Sequence, residues 1–441
     1  MPQIENQDFW SFLYSLHHPT YSMGGKEFQW SLDNMYRIDE YMGFPSRKLR
    51  YIHVAGTNGK GSTVSLLAAI LMKAGYKVGY YRSPQMFDIR ERFYINDQMI
   101  SESDILHYYH KICQYLSLYG ASPKDTKGLI ISYSEFFISL AFDYFYRKKV
   151  DIVVLETGIG GLQDPTNIIK NPELCIITSI GSDHTRLFGN SLLEITHQKC
   201  GIIKPHAPVV VGHIIEQDVI DYICQEASKK QAPVILSDEM YSLLPIDERV
   251  SCTNDKNREA NYQHFNIQTV CCALHELRKK MVISLSSQEM QDAVNHFTQT
   301  TGLYGRWQIC NTNPTMIADV ADNPQAVQLN FAQLEKIYDA KKHRRLVLIF
   351  GITSKEKLSI RDFLPRNAIY IITESKGFLT PQQIADVLGV DGYVSTDVND
   401  AMKYYFSIAK SDDLVYIGGS IHIVHDALIY LRSRNSNNVH G

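Results

Sequence analysis

The stretch Tyr51-Ile-His-Val-Ala-Gly-Thr-Asn-Gly-Lys-Gly-Ser-Thr63 leaves this chain few folds to choose from. An apolar strand runs into a glycine-rich turn, and the turn runs into the helix-favouring stretch Val64 to Met72. That succession is the repeating unit of a parallel α/β sheet. Gly56, Gly59 and Gly61 permit dihedrals closed to other residues, so backbone N–H groups can converge on one anion at the positive end of the helix. Lys60 adds a mobile charge, and the Ser62 hydroxyl can take one position on a phosphate-bound Mg²⁺. The general phosphate-loop pattern sets Ser or Thr directly after the Lys; here Gly61 intervenes, so the strand before and the helix after must carry the reading. A glycine-rich turn with a surface Lys is the plainer alternative, and it leaves the ordered coincidence of strand, glycines, Lys and Ser without a cause.

Around this stretch the chain has room for two or more cores: it is 441 residues long, with 44% hydrophobic and 21% charged residues. A formal net charge of −3 gives no basic bias, which argues against nucleic acid or an acidic membrane surface as partner. The opening Met1-Pro-Gln-Ile-Glu-Asn-Gln-Asp8 lacks the blocks of a signal peptide, and no apolar run has bilayer length. The expectation is therefore a cytoplasmic protein, a monomer, whose partners are small-molecule substrates. Eight cysteines without a Cys-x-x-Cys pair fit reduced, packed thiols.

Elsewhere the periodicity continues the α/β theme. Phe9 to Gly43 reads as helical, with Phe9, Phe12 and Leu13 on one face and Met35 and Ile38 on another. Asp151 to Thr157 and Leu174 to Ile180 read as buried strands ending in polar residues, and 208–211 and 233–236 as further strands around a helix at 218–230. Glu156 stands at such a strand end, where ligands of open parallel sheets gather, and an acid there can hold Mg²⁺. A helix starts at Asn190 or Ser191 and ends near Gly201, with Lys199 in its last turn. Tyr262 opens a helix to Leu277, and the polar, glycine-containing stretch Phe297 to Gly305 is placed as a domain boundary. Arg90-Glu91-Arg92 taken alone reads as a solvated charge run.

The run Val-Ala-Gly-Thr-Asn-Gly-Lys-Gly-Ser at 54–62 resembles the nucleotide loop of the folylpolyglutamate synthase and dihydrofolate synthase family of the Mur-ligase superfamily. Similar motifs recur along nearly the whole chain: Ser83-Pro-Gln85, Glu156-Thr-Gly-Ile-Gly-Gly-Leu-Gln-Asp-Pro-Thr-Asn167, Asp183-His-Thr185, Tyr262-Gln-His-Phe-Asn266, Gly305-Arg306 and Asp319 to Pro324. The resemblance implies an α/β protein of Mur-ligase type. Residues 1–300 would form an N-terminal P-loop ATPase domain with a mainly parallel sheet and a helical lead-in. Residues 301–441 would form a smaller C-terminal Rossmann-like α/β domain.

It also implies a site. Gly56, Thr57, Asn58, Gly59, Lys60, Gly61 and Ser62 would hold the phosphates, with Gln263, Asn266, Arg306 and Asp319 as further nucleotide contacts. Ser62, Glu156 and His184 would be metal ligands, two Mg²⁺ sites are expected, and Lys60, Lys199 and His184 would act in catalysis. The family's lysine at the place of Lys199 is carbamylated, which turns a cation into an anion. The activity implied is ATP-dependent addition of L-glutamate to a folate-type acceptor, dihydropteroate or tetrahydrofolate, through an acyl phosphate. Gln85, Leu162, Gln198, Asp322 and Ser354 depart from the family pattern, where Gln85 and Asp322 each replace His and Leu162 replaces Arg, and Tyr262 stands at the His of the family's His-Gln-x-x-Asn. These departures keep open a diverged ligase that couples an amino acid to a different carboxylate. A nucleotide-binding protein without ligase activity is disfavoured, because Lys60, Ser62, Glu156, His184 and Lys199 are all present.

Overall fold

The computed structural model describes residues 4, 6–16, 31–120, 122, 131–251, 260–339, 345–353, 355–374 and 379–438. Ser354 lies outside them. The chain forms two compact units: Met1–Ile180, Phe188–Ser251 and Asn266–Gly302 make the first, and Gly181–Leu187, Cys252–Phe265 and Leu303–Gly441 the second. The second unit thus takes in two earlier segments besides the stretch from Leu303 onward. Phe297 to Thr301, read as part of a linker, are the end of a helix, Ser287–Thr301, which Gly302 caps at φ +61°. A left-handed residue there satisfies the last carbonyls and turns the chain out.

In the first unit the strands are β1 (Tyr51–Ala55), β2 (Val78–Tyr81), β3 (Phe93–Ile95), β4 (Gln98–Met99), β5 (Ile152–Glu156), β6 (Leu174–Ile177), β7 (Val209–Val211) and β8 (Val234–Leu236). They order as β4-β3-β2-β5-β1-β6-β7-β8, parallel except where β3 meets β2 and β4. Strands β1, β5 and β6 are buried along their whole length, as strands covered on both faces must be. Placing β1 between β5 and β6 brings their carboxyl ends together at the middle of the sheet.

The helix after β1 runs Lys60–Lys73, so it begins four residues earlier than the apolar run suggests, on the loop lysine itself. The lead-in contains helices Gln7–Ser15 and Asp33–Tyr41, which bury Phe9, Phe12, Leu13, Met35 and Ile38 as their periodicity requires; residues 17–30 lie outside the described set. Those side chains enter an aromatic core with Tyr108, Phe136 and Phe137 from helices Glu102–Leu118 and Tyr133–Arg147. Each fully buried ring there contributes about 1.5–3 kcal/mol relative to exposure.

The second unit carries β9 (Gln308–Thr312), β10 (Thr315–Asp319), β11 (Leu346–Phe350), β12 (Ala368–Ile372), β13 (Gly392–Val394) and β14 (Leu414–Gly418). Their order is β13-β12-β11-β14-β10-β9, with β9 antiparallel at one edge and the rest parallel. Asp319 ends β10, again a polar residue at the carboxyl end of a buried strand. Among the described residues no helix is long and apolar enough to cross a membrane.

Candidate functional site

The loop between β1 and its helix is shaped by close packing. Gly56 has φ +149°, and a Cβ there would collide with the Thr178 hydroxyl; Gly59 has φ +85°, and a Cβ there would run into the Asn266 side-chain oxygen. Both positions therefore exclude other residues for two reasons at once, conformation and space. The amides of Thr57 and Asn58 donate to the Ser179 carbonyl (2.8 Å) and the Ser179 hydroxyl (3.0 Å). Thr178 Oγ1 donates to the Asn58 carbonyl at 2.6 Å. Thr57 and Asn58 thus brace the loop against the segment after β6 through these amides. Thr63 N donates to the Gly59 carbonyl at 2.8 Å. The first turn of a helix is where backbone N–H groups face an anion, and this loop leads directly into one.

Two ammonium groups meet at this loop. Lys60 Nζ donates to the carbonyls of Gly56 (3.0 Å) and Thr57 (3.2 Å), and Lys199 Nζ donates to the same Gly56 carbonyl at 2.8 Å. Lys199 is buried. Its helix, Leu192–Cys200, starts with a reciprocal cap between Ser191 and Glu194 and delivers the lysine from its last turn. Two cations on one oxygen create a positive pole beside a helix N-terminus, the place where a polyphosphate is held most strongly.

Glu156 closes β5 opposite Val54 of β1, is buried, and accepts from the Ser83 amide at 3.2 Å. The turn after it is fixed by Asp164, which accepts from Ile159 N (2.9 Å), Thr166 N (3.0 Å) and Thr166 Oγ1 (2.5 Å). Burial pushes the Asp164 carboxyl up, while Thr166 and the backbone donors oppose it. His53 of β1 lies 2.9 Å from Thr166 Oγ1, and burial, then Lys204, pushes its pKa down to about 3, so it is a neutral structural ring. Ser62 and Glu156 are buried oxygen donors of the kind that suits Mg²⁺, which needs few protein ligands when phosphates supply the rest. Among the described residues no group of three or more His, Cys, Asp or Glu gathers around a metal position.

The charge run at 90–92 is not a solvated face. Arg92 is 8% exposed, donates to the Gln85 side-chain oxygen (2.6 Å) and the Tyr81 hydroxyl (3.1 Å), and lies over the rings of Tyr133 and Phe137. Glu91 accepts from the amides of Met86, Phe87 and Asp88, so it builds the turn after Ser83. Gln85 thus has a defined role as partner of a buried guanidinium. Leu162 is 37% exposed, and its amide donates to the Gln198 carbonyl at 2.7 Å. Arg82, which no motif marks, is buried 5.4 Å from the centroids of the stacked Tyr80 and Tyr94 rings and donates to Ser65 Oγ (2.7 Å) and to the Thr301 carbonyl (2.6 Å).

His184, Gln263, Arg306 and Asp319 belong to the second unit, whereas the other expected site residues belong to the first. His184 has φ +51°, is 41% exposed, and its ring lies 3.6 Å from the Asp183 carboxylate. Gln263 is buried. Asp319 is also buried, and its carboxylate accepts from Tyr262 Oη (2.7 Å), Trp307 N (2.7 Å) and Ala321 N (2.8 Å). It is engaged within its own unit and holds the backbone amide that follows Arg306. Asp322, half-buried, follows on the same loop, and the side chains of Lys355 to Lys357 lie outside the described set.

Residues 305–421 match the family model described as Mur ligase, glutamate ligase domain. Along the chain there is 30% identity over 423 residues to the dihydrofolate synthase/folylpolyglutamate synthase of Bacillus subtilis, covering 90% of this chain and 93% of that protein. The fold is similar to Escherichia coli FolC in complex with DHPP and ADP, with a TM-score of 0.77, 25% identity and coverage of 99% of this chain and 100% of that one. It is likewise similar to the bifunctional folylpolyglutamate synthase/dihydrofolate synthase of Yersinia pestis complexed with AMPPNP and Mn, with a TM-score of 0.79, 25% identity and coverage of 98% and 100%.

Proposed function

The chain belongs to the dihydrofolate synthase/folylpolyglutamate synthase family, and on that premise we propose that it joins L-glutamate to a folate-type carboxylate at the expense of ATP. A carboxylate is a poor acylating agent because oxide is a poor leaving group. Transfer of the γ-phosphoryl group of ATP to it gives an acyl phosphate and ADP. The glutamate amine then displaces inorganic phosphate and leaves an amide. Little covalent work falls to the protein, which must hold charged groups in line and neutralise them.

The observation that carries this reading is the convergence of Lys60 and Lys199 on the Gly56 carbonyl. In the proposed complex Lys60 leaves that carbonyl for the terminal phosphates, which the helix amides cradle. Ser62 and Glu156 would hold a divalent metal, which when bound supplies charge neutralisation on the phosphates. We assign His184 as a further metal ligand and Lys199 as the site of a carbamate, which on forming would exchange its positive charge for a negative one and leave Lys60 and the helix amides to face the phosphates. Gln263, Asn266 and Arg306 complete the nucleotide contacts in this assignment, with residues 1–300 as the ATP-binding domain and 301–441 as the ligase domain. The reading further places the protein in the cytoplasm as a monomer. Coupling to a different carboxylate is not favoured, since the relatives matched over nearly their whole length are named for folate substrates.

The test is phosphate release from ATP by the purified protein with dihydropteroate, tetrahydrofolate and a panel of other carboxylates, each with L-glutamate. Release that depends on a folate-type acceptor supports the assignment. Release with a non-folate acceptor only, together with failure to complement a folate-ligase-deficient bacterium, would reject it.

A further inference from the structure

The turn Gly305-Arg306-Trp307 carries two costs that packing alone does not repay. Trp307 sits at φ +50°, a left-handed conformation that costs a bulky residue roughly 1–2 kcal/mol. Its ring N–H is buried and, among the described residues, has no hydrogen-bond partner. Such strain persists only where neighbours over-determine it, and here they do. Trp307 N donates to Asp319 Oδ2 at 2.7 Å, Gly305 N donates to Gln308 Oε1 at 3.0 Å, and the Gly305 carbonyl accepts from Val320 N at 3.0 Å. Arg306 is therefore clamped between two pinned neighbours. The remaining bond to Asp319 Oδ2 comes from Tyr262 Oη at 2.7 Å, a residue at the start of helix Asn261–Arg278 and distant in sequence.

We propose that Tyr262 is a positioning residue: by donating to Asp319 it locks Trp307 in the left-handed turn and so fixes the direction of the Arg306 guanidinium. The family motif carries His at this place, another side chain with a hydrogen to donate, so the requirement at 262 is for a donor rather than for a phenol. Burial first, and the Asp319 charge next, hold the Tyr262 hydroxyl in its protonated, donating form. What Arg306 acts upon rests on the ligase reading; the lock itself does not.

The experiment therefore has two readouts. In a Trp10→Phe/Trp30→Phe background, Trp307 is the single tryptophan, and acrylamide quenching of its fluorescence reports whether the turn stays closed. Tyr262→Phe is expected to increase the quenching and to lower kcat/KM for ATP-dependent phosphate release roughly 10- to 100-fold, the scale of a misplaced catalytic group. Tyr262→His is expected to restore both. In an Arg306→Ala background Tyr262→Phe should add no further loss of activity, because the group it aims is gone. Unchanged quenching in Tyr262→Phe, or losses that multiply with Arg306→Ala, would overturn the proposal. A wild-type protein without turnover counts against the ligase reading alone, since the quenching still decides the lock.

Discussion

The loop at Gly56 to Ser62 and the turn at Gly305 to Trp307 both present a cation at the carboxyl end of a strand, and they are built in opposite ways. The loop is contiguous: its glycines, its lysine and the amides of the following helix come from one short run. The turn is assembled from three distant segments, Tyr262, Arg306 with Trp307, and Asp319, and a buried carboxylate is the joint between them. A contiguous anion site depends on backbone and can lose a side chain without unfolding. A site assembled around a buried acid has its function and its stability in the same bonds.

The largest expected effect is on the loop. Lys60→Ala should lower ATP-dependent phosphate release by at least about 10²–10³-fold, as the loss of a charge-stabilising donor does, while thermal stability stays as in the wild type. A Lys60→Ala protein that unfolds well below wild type would break the contrast at its first term. In the turn the same kind of deletion should behave differently. Asp319→Ala leaves the donors of Tyr262, Trp307 and Ala321 without their acceptor, at about 1–3 kcal/mol for each buried group left unmet. It should therefore shift the urea midpoint and the activity together.

The contrast sharpens at Gly59, where the loop does depend on a specific residue. Gly59→Ala should cost about 1–2 kcal/mol for the left-handed backbone, and more for the overlap with the Asn266 amide. Adding Asn266→Ala should recover the overlap part in urea titrations and leave the backbone part. Full recovery would show that the left-handed conformation at Gly59 is not strained once space is made.

The same contrast explains what could be read in advance. A strand, three glycines and a lysine in one run announce a phosphate loop because each residue acts on its neighbours. The places of Glu156 at a strand end and of Lys199 in a helix's last turn were legible for the same reason. Asp319 was visible as a motif residue, but not that its carboxylate is engaged inside the unit, because its partners are set by tertiary packing. Arg92 looked solvated because its neighbours in sequence are charged, whereas its partners Gln85, Tyr81, Tyr133 and Phe137 come from other segments. Thr57 and Asn58 belong to the loop in sequence, yet the segment after β6 claims their amides. Tyr262 departs from the family's His, and only the hydrogen bond shows that the departure keeps the chemistry.

The smallest effect concerns pH, and it separates a backbone site from one built on an acid. Burial raises the Asp319 carboxyl above its ordinary value, and Tyr262, Arg306 and the amides of Ala321 and Trp307 pull it down without cancelling the rise. The folded protein therefore keeps this proton to a higher pH than the unfolded chain does. The stability linked to it is fully present below the unfolded value, near about pH 3.9, and is lost as pH rises through the folded value. Asp319→Asn removes the titration. The difference in urea midpoint between wild type and Asp319→Asn should thus move in favour of the wild type as the pH falls towards that value, while the difference between wild type and Gly59→Ala stays level over the same range. A wild-type to Asp319→Asn difference that does not change with pH would mean that Asp319 ionises as it does in the unfolded chain, and that its three donors offset its burial completely.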